Sequence, residues 1–312
     1  MAHVRERAAE GPTFIAAETL FAMRHIVRNV PERLLNPTGR PGGYIGRKRG
    51  NGLEIVDVRL FSDGDDNRHI DAAATARTAK THVRTFRDER DRTALLIADF
   101  RATMLWGTRT RLRSVAAAGA LALAGWRVVE GGGRIALMAQ GCDGNVYLPP
   151  RSRERAMAAL TATLERSHQA SIDALQAGGS DEATLEAMLE QAIARSSSGT
   201  TIVLASSLDE TGDRFDQLLV AARRRFDIVV LLVRDPFETA PPQGAYPYLV
   251  IGEDPSASMR WAFVARRDEA RADERIDRLR SAGIDVRVIE TNATWTDMAT
   301  ALETVDGSRS AR

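Results

Sequence analysis

Residues 94–107 read ALLIADFRATMLWG. An unbroken apolar run leads into an aspartate, Asp99, and then into a polar turn. A strand without polar alternation is buried on both faces, as happens in a parallel sheet covered by helices. A carboxylate at the C-terminal end of such a strand lies where α/β proteins build ligand and metal sites. The pattern D-x-S-x-S at that place would offer hard oxygens to a divalent cation. Here the same slots hold Asp99, Arg101 and Thr103, so a guanidinium stands where a ligand is expected.

The alternation extends outward from this strand. TALLIADF, GRIALMAQG, TIVLASSL, FDIVVLLVRD and DVRVIET all read as buried strands. Helix-like runs over 110–128, 151–176, 183–196, 210–224, 267–282 and 293–304 lie between or after them. Strands alternating with helices predict a parallel sheet with right-handed crossovers. GCDGNVYLPP follows its strand after a short glycine-containing turn, which predicts an antiparallel strand at the sheet edge. A second hairpin is expected in YPYLVIGEDPSASMRWAFVA, turning at Glu253 to Ser256.

The expected class is α/β, a doubly wound and mostly parallel sheet with one antiparallel edge strand. A small N-terminal α+β module is expected to precede it. That module covers residues 1–90: a helix over Pro12 to Val30, a Gly- and Arg-rich loop at 38–52, the strand LEIVDVRLF and the acid-loaded turn SDGDDNRHID. The main domain is expected over 91–305 and a frayed tail over 306–312.

Composition narrows the function. With 44% hydrophobic and 27% charged residues, the 312-residue chain can build a substantial core as a soluble globular protein. A formal charge of +1 gives no field that would argue for nucleic acid or an anionic membrane. One cysteine, Cys142, excludes an intramolecular disulfide and a cysteine-based zinc cluster. The five histidines have no metal-binding spacing and read as surface or capping residues. No apolar segment follows a basic start, and the longest uncharged stretch, Ser114 to Trp126, is too short to span a bilayer. A cytoplasmic location, at most peripheral to a membrane, is expected.

Several chemistries fail on the motifs. The turn after the first buried strand lacks the glycines of a dinucleotide site, EGGGR lies in the wrong context, and no P-loop occurs. DFRAT is close to the D-x-D-x-T of aspartyl phosphatases, but Arg101 occupies the slot of the second carboxylate. Ser206, Ser207, Asp209 and Glu210 sit at a strand end with no histidine near in sequence, so a hydrolytic triad is unsupported.

The segment from DVRLFSDGDDNRHID to DFRATMLWG resembles the DUF58 family, whose members carry a von Willebrand factor A-like domain. Gly64, Asp65, Asp66, Arg68, Ile70 and Asp71 match a G-D-D-x-R-x-I-D element. Thr75, Ala76, Arg77, Phe86, Glu89, Arg90, Asp99, Met104 and Gly107 follow in register. VRDPFETAPPQG is similar to a D-P-x-E-x-x-x-P segment of the family. The resemblance covers about residues 40–305. It implies a sheet of von Willebrand factor A type and a metal-ion-dependent adhesion site in degenerate form, at Asp99, Arg101, Thr103 and Ser207. Thr184 stands for the loop threonine of that site.

Arginine offers no lone pair and keeps its proton, so Arg101 is expected to pair with Asp99 in place of a metal. No cofactor is expected. The resemblance implies a non-catalytic, protein-binding accessory to a MoxR-type AAA+ ATPase, acting in assembly or cofactor insertion of a client metalloenzyme such as methanol dehydrogenase. Two alternatives stand beside it: a hydrolase or phosphatase using Asp99 and Asp209, and a metal-dependent adhesion module. The partner face is expected at Arg101, Met104, Trp106, Asp209, Glu210 and Phe237, because strand C-terminal loops share one face. Asp65, Asp66, Arg68, Asp71 and Arg77 are expected to form an ion-paired structural turn.

Overall fold

The computed structural model describes residues 11–28, 54–62, 67–87, 93–142, 144–179, 183–248, 260–264 and 273–303. The chain divides into two compact units, Asn36–Arg92 and the remainder. The N-terminal helices, expected to belong with the small module, instead belong to the larger unit. These helices are α1 (Ala17–Ala22) and α2 (Arg24–Arg28). The reason is packing: Ile15, Leu20, Met23 and Val27 join the main core, and Phe21 meets Trp126 edge to face at 5.0 Å.

In the smaller unit, strands β1 (Glu54–Leu60) and β2 (His82–Arg87) pair antiparallel around helix α3 (Ala72–Thr78). Asp71 caps α3 by accepting from the Ala74 backbone N–H at 2.8 Å. Thr75 Oγ1 accepts from the His82 backbone N–H at 3.0 Å, tying the helix to the strand. Arg68 and Arg77 are exposed. Asp65 and Asp66 lie outside the described residues, so their expected ion pairs do too.

The larger unit holds a six-stranded sheet. Its strands are β3 (Thr93–Phe100), β4 (Arg134–Gly141), β5 (Gly144–Ser152), β6 (Thr201–Ser206), β7 (Asp227–Arg234) and β10 (Asp285–Glu290). Their order is β10-β7-β6-β3-β4-β5, parallel except for β5, the antiparallel edge strand. The chain steps from β3 outward to β5, then returns to β6 on the other side of β3. The strand order therefore reverses between β3 and β6, and a crevice opens at such a point beyond the strands' C-terminal ends.

Both faces of the sheet are covered. Ala94, Leu96, Ala98 and Phe100 point into one core, Leu95 and Ile97 into the other. The first core is closed by α4 (Arg113–Glu130), α5 (Arg153–Gln176) and α10 (Trp295–Ala301). The second is closed by α6 (Leu185–Arg195), α7 (Phe215–Ala222) and α9 (Glu274–Ser281). Helix α4 is buried from Arg113 to Val128, which explains its alanines and glycines. A Cβ on Gly119 would strike the Trp295 ring. No helix among the described residues is long and apolar enough to cross a membrane.

After β7 comes the four-residue helix α8 (Pro236–Thr239), and then β8 (Gly244–Tyr248) pairs with β9 (Arg260–Val264). The expected second hairpin is thus present, with its turn outside the described residues.

Candidate functional site at the strand-order reversal

Asp99 ends β3 and is wholly buried, and Arg101 beside it is 2% exposed. The Arg101 Nε donates to Asp99 Oδ1 at 3.0 Å, and Nη2 donates to Oδ2 at 3.0 Å. The Arg101 backbone N–H adds a third bond to Oδ1 at 3.1 Å. From the adjacent strand, Ser206 Oγ donates to Oδ2 at 2.7 Å and accepts from the Leu208 N–H at 2.9 Å. The carboxylate therefore has four donors and no open face.

The rest of the guanidinium faces backbone carbonyls. Nη1 donates to Ala183 O at 3.2 Å and Glu210 O at 3.1 Å, and Nη2 donates to Asp209 O at 2.8 Å. With the two bonds to Asp99, all five N–H donors of the fork have acceptors. The side chain thus fastens together the β3 loop, Ala183 in the segment leading into α6, and the β6 loop. That last loop needs fastening. Leu208 and Glu210 adopt φ of 59° and 50°, left-handed values that cost a non-glycine residue about 1–3 kcal/mol each.

Around this centre runs a chain of alternating charge. Asp209 accepts from Ser207 Oγ at 2.8 Å and meets Arg113 at 3.0 Å. Arg113 reaches Glu238 at 2.7 Å, Glu238 meets Arg275 at 3.2 Å, and Arg275 meets Asp273 at 2.8 Å. The Arg275 hydrogen bond holds the Asp273 carboxyl below its usual range, with burial opposing it. Arg275 also donates to Ser207 O at 2.8 Å, which ties α9 to the β6 loop.

The D-P-x-E segment has a local physical explanation. Asp235 caps α8 with Pro236 at its first position, and Glu238 closes the capping box. Asp235 is 1% exposed and also accepts from Thr108 N–H at 3.0 Å and Thr291 Oγ1 at 2.8 Å. Burial raises its pKa, but these donors together outweigh burial and leave it lowered. Gly107 is equally constrained, since a Cβ there would fall on the Arg111 carbonyl oxygen.

The expected pairing of Arg101 with Asp99 is present. The expected use of Arg101 and Met104 as surface contacts is not. Arg101 is buried with its donors filled, and Met104 is wholly buried, its sulfur accepting from the Ser207 N–H at 3.1 Å. Trp106 is 37% exposed, with Arg113 stacked 4.5 Å from its ring centre. Phe237 is half-buried and lies edge-on to both Trp106 and Tyr246. Glu210 is exposed and Asp209 half-buried. Thr184 caps α6, accepting from Ala187 N–H at 3.2 Å.

In this arrangement little is left for a divalent cation to bind at Asp99. The one central carboxylate is saturated, and a guanidinium stands against both its oxygens. Thr103 Oγ1 is buried without a partner, a single hydroxyl where six ligands would be needed. Among the described residues no group of three or more His, Cys, Asp or Glu could hold a metal ion.

One residue the sequence concealed is His168. It is not a surface histidine: it is 1% exposed, meets Phe100 edge to face and shares a 2.9 Å hydrogen bond with Ser114. Burial pushes its pKa down to about 4, so it is neutral at pH 7. The lone signal was its position on the apolar stripe of α5.

The family model described as protein of unknown function DUF58 matches residues 57–274. The chain belongs to this family. Similar proteins include uncharacterized protein Mb1516 of Mycobacterium bovis and uncharacterized protein Rv1480 of Mycobacterium tuberculosis, each 39% identical over 83 residues. That match covers 26% of this chain and 26% of each relative, so the chain spans about a quarter of the curated relatives it matches. A solved structure of an aerotolerance-related membrane protein from Bacteroides fragilis aligns with a TM-score of 0.43 at 12% identity. The alignment covers 68% of this DUF58 chain and 96% of that one.

Proposed function

We propose that this DUF58 protein is a non-catalytic binding module of von Willebrand factor A type, in which a guanidinium has replaced the adhesion-site metal. The observation that carries the reading is the Asp99–Arg101 pair at the strand-order reversal, the place where a sheet with this order binds its ligand. The antiparallel edge strand supports the same reading. A site locked by its own arginine binds partners through its rim instead of through a bridging cation. The rim offers Trp106 with Arg113 stacked on it, flanked by Phe237, Asp209 and Glu210. Aromatic and arginine residues of this kind make binding hot spots. The partner in this proposal is a MoxR-type AAA+ ATPase, together with a client metalloenzyme in assembly or cofactor insertion. The site of action is the cytoplasm or the membrane periphery.

The hydrolase alternative is disfavoured because the Asp99 carboxylate has four donors and no solvent access, so of the two acids it needs only Asp209, itself paired with Arg113, meets solvent. The metal-dependent alternative is disfavoured by the guanidinium. The test is affinity capture of a purified MoxR-type ATPase on immobilised protein, without nucleotide, in buffer containing either Mg²⁺ or EDTA. Capture should be equal in both, and Trp106→Ala should weaken it about tenfold, roughly 1.4 kcal/mol. Capture lost in EDTA would restore the metal-dependent reading. Capture indifferent to Trp106→Ala would place the binding face elsewhere.

A further inference from the structure

The antiparallel edge of the sheet carries a fault in its register. Ile135 of β4 faces Arg151 of β5, but Leu137 faces Leu148, so Pro149 and Pro150 together stand opposite Ala136. Two residues against one make a β-bulge, and neither proline has an N–H that the ladder could use. Beside this bulge lies a pocket of about 100 Å³. Its walls include Ile135, Leu137 and Leu148 from the strands and Ala156, Ala159 and Leu160 from the first turns of α5. The two alanines leave space that a larger side chain would fill. The pocket lies at the N-terminal end of β4, away from the Asp99 crevice at the opposite end of the sheet.

The charged group in the lining is Arg151. Arg153 and Arg155 follow it at the start of α5, and all three are exposed. Among the described residues none of the three pairs with an acid. Glu154, the acid in their midst, is engaged by Arg24. This stretch therefore carries positive charge without internal compensation. It borders apolar walls of which Ile135, Leu137, Ala156 and Leu160 are all buried.

We infer that this pocket binds an aliphatic carboxylate, with its chain in the apolar space and its head on Arg151. Ligand pockets are lined mostly by apolar groups, with a few polar ones that fix orientation. An apolar cavity of about 150 Å³ holds benzene, so this smaller one suits a short chain, on the order of four carbons. A planar carboxylate matches the fork of a single guanidinium, whereas a phosphate dianion calls for more donors than this lining offers. The acid arrives either as a free short-chain acid or as the C-terminal leucine of a polypeptide, and the chemistry at the pocket is the same.

The test is titration calorimetry of the full chain with pentanoate, acetate and 1-pentanol, and with a peptide ending in leucine, as its free acid and as its amide. Saturable heat is expected with pentanoate. Each buried methylene contributes about fourfold, so acetate should bind at least about tenfold more weakly. The uncharged alcohol should be weaker by a similar factor, about tenfold, and Arg151→Gln should weaken pentanoate to the same extent. Ala159→Leu fills the pocket with a residue that helices favour, and should abolish binding while circular dichroism stays unchanged. A free-acid peptide at least about tenfold tighter than both pentanoate and its own amide identifies a chain terminus as the source, and a smaller gain identifies a small acid. No saturable heat with pentanoate or the free-acid peptide up to about 20 mM would overturn the inference. So would acetate binding as tightly as pentanoate, or binding indifferent to Arg151→Gln or to Ala159→Leu.

Discussion

Arg101 and Asp99, two residues apart, form a bidentate pair with both contacts at 3.0 Å and both side chains out of solvent. Removing one member of a buried pair leaves an uncompensated charge, at a cost of about 3–5 kcal/mol. Arg101→Met should therefore lower the urea midpoint by an equivalent amount, and Asp99→Asn combined with Arg101→Met should recover part of it. A loss below about 1 kcal/mol for the single change is the behaviour of an exposed pair and would contradict the buried geometry.

The same pair governs metal affinity. Native protein titrated with Mg²⁺ or Mn²⁺ in a calorimeter should give no saturable heat at about millimolar concentration, because Arg101 closes off both oxygens of the central carboxylate, Asp99. Arg101→Ser with Ser207→Asp supplies a hydroxyl and a second carboxylate and frees Asp99. That double variant, with its fold checked by circular dichroism, should gain saturable Mn²⁺ binding. Saturable binding by the native chain that vanishes in Asp99→Ala would show that the guanidinium does not block the site.

His168 predicts a pH dependence. Burial lowers its folded pKa to about 4 from an ordinary 6.5. Between these values the unfolded chain binds the extra proton and the folded chain does not. Stability contributed by neutral His168 is thus complete above about pH 6.5 and falls as the pH drops towards about 4, by on the order of 3 kcal/mol. Urea unfolding of wild type and His168→Gln across that range measures it. The variant's curve should be flatter in this window, and parallel curves would mean that His168 titrates normally.

Gly107 predicts a packing defect. Its missing Cβ makes room for the Arg111 carbonyl, which is backbone and cannot swing aside. Gly107→Ala should cost about 1–3 kcal/mol, as overpacking does. Thermal unfolding reports it, and a variant as stable as the wild type would show that the 107–111 turn opens without penalty.

Much of this fold was legible from periodicity alone. The runs around Leu96, Leu137, Val203 and Val230 were strands for a simple reason: short stretches dominated by Val, Ile, Leu and Ala, without polar alternation, must be buried on both faces. The antiparallel β5 followed from the short turn before it. The allegiance of α1 and α2 was not legible, because an amphipathic helix shows that it has a buried face but not which core receives it. Leu20 and Met23 chose the main core through contacts with residues about a hundred positions away.

The site divides in the same way. By itself, the sequence determined that a guanidinium would stand two residues after the strand-end aspartate and that the two groups were near enough to pair. Covalent spacing and the fixed charge of arginine settle those points. Only the tertiary structure decided what became of the remaining donors. Ala183, Asp209 and Glu210 come from loops 82 to 109 residues away, and their carbonyls turn Arg101 from a surface anchor into a buried fastener. Met104 was likewise taken from the surface by the Ser207 N–H, and His168 was made neutral by the core around it. Burial and hydrogen-bond partners are properties of chain segments brought together. Local pattern fixes which groups are available, and the assembled core fixes which of them still meet solvent.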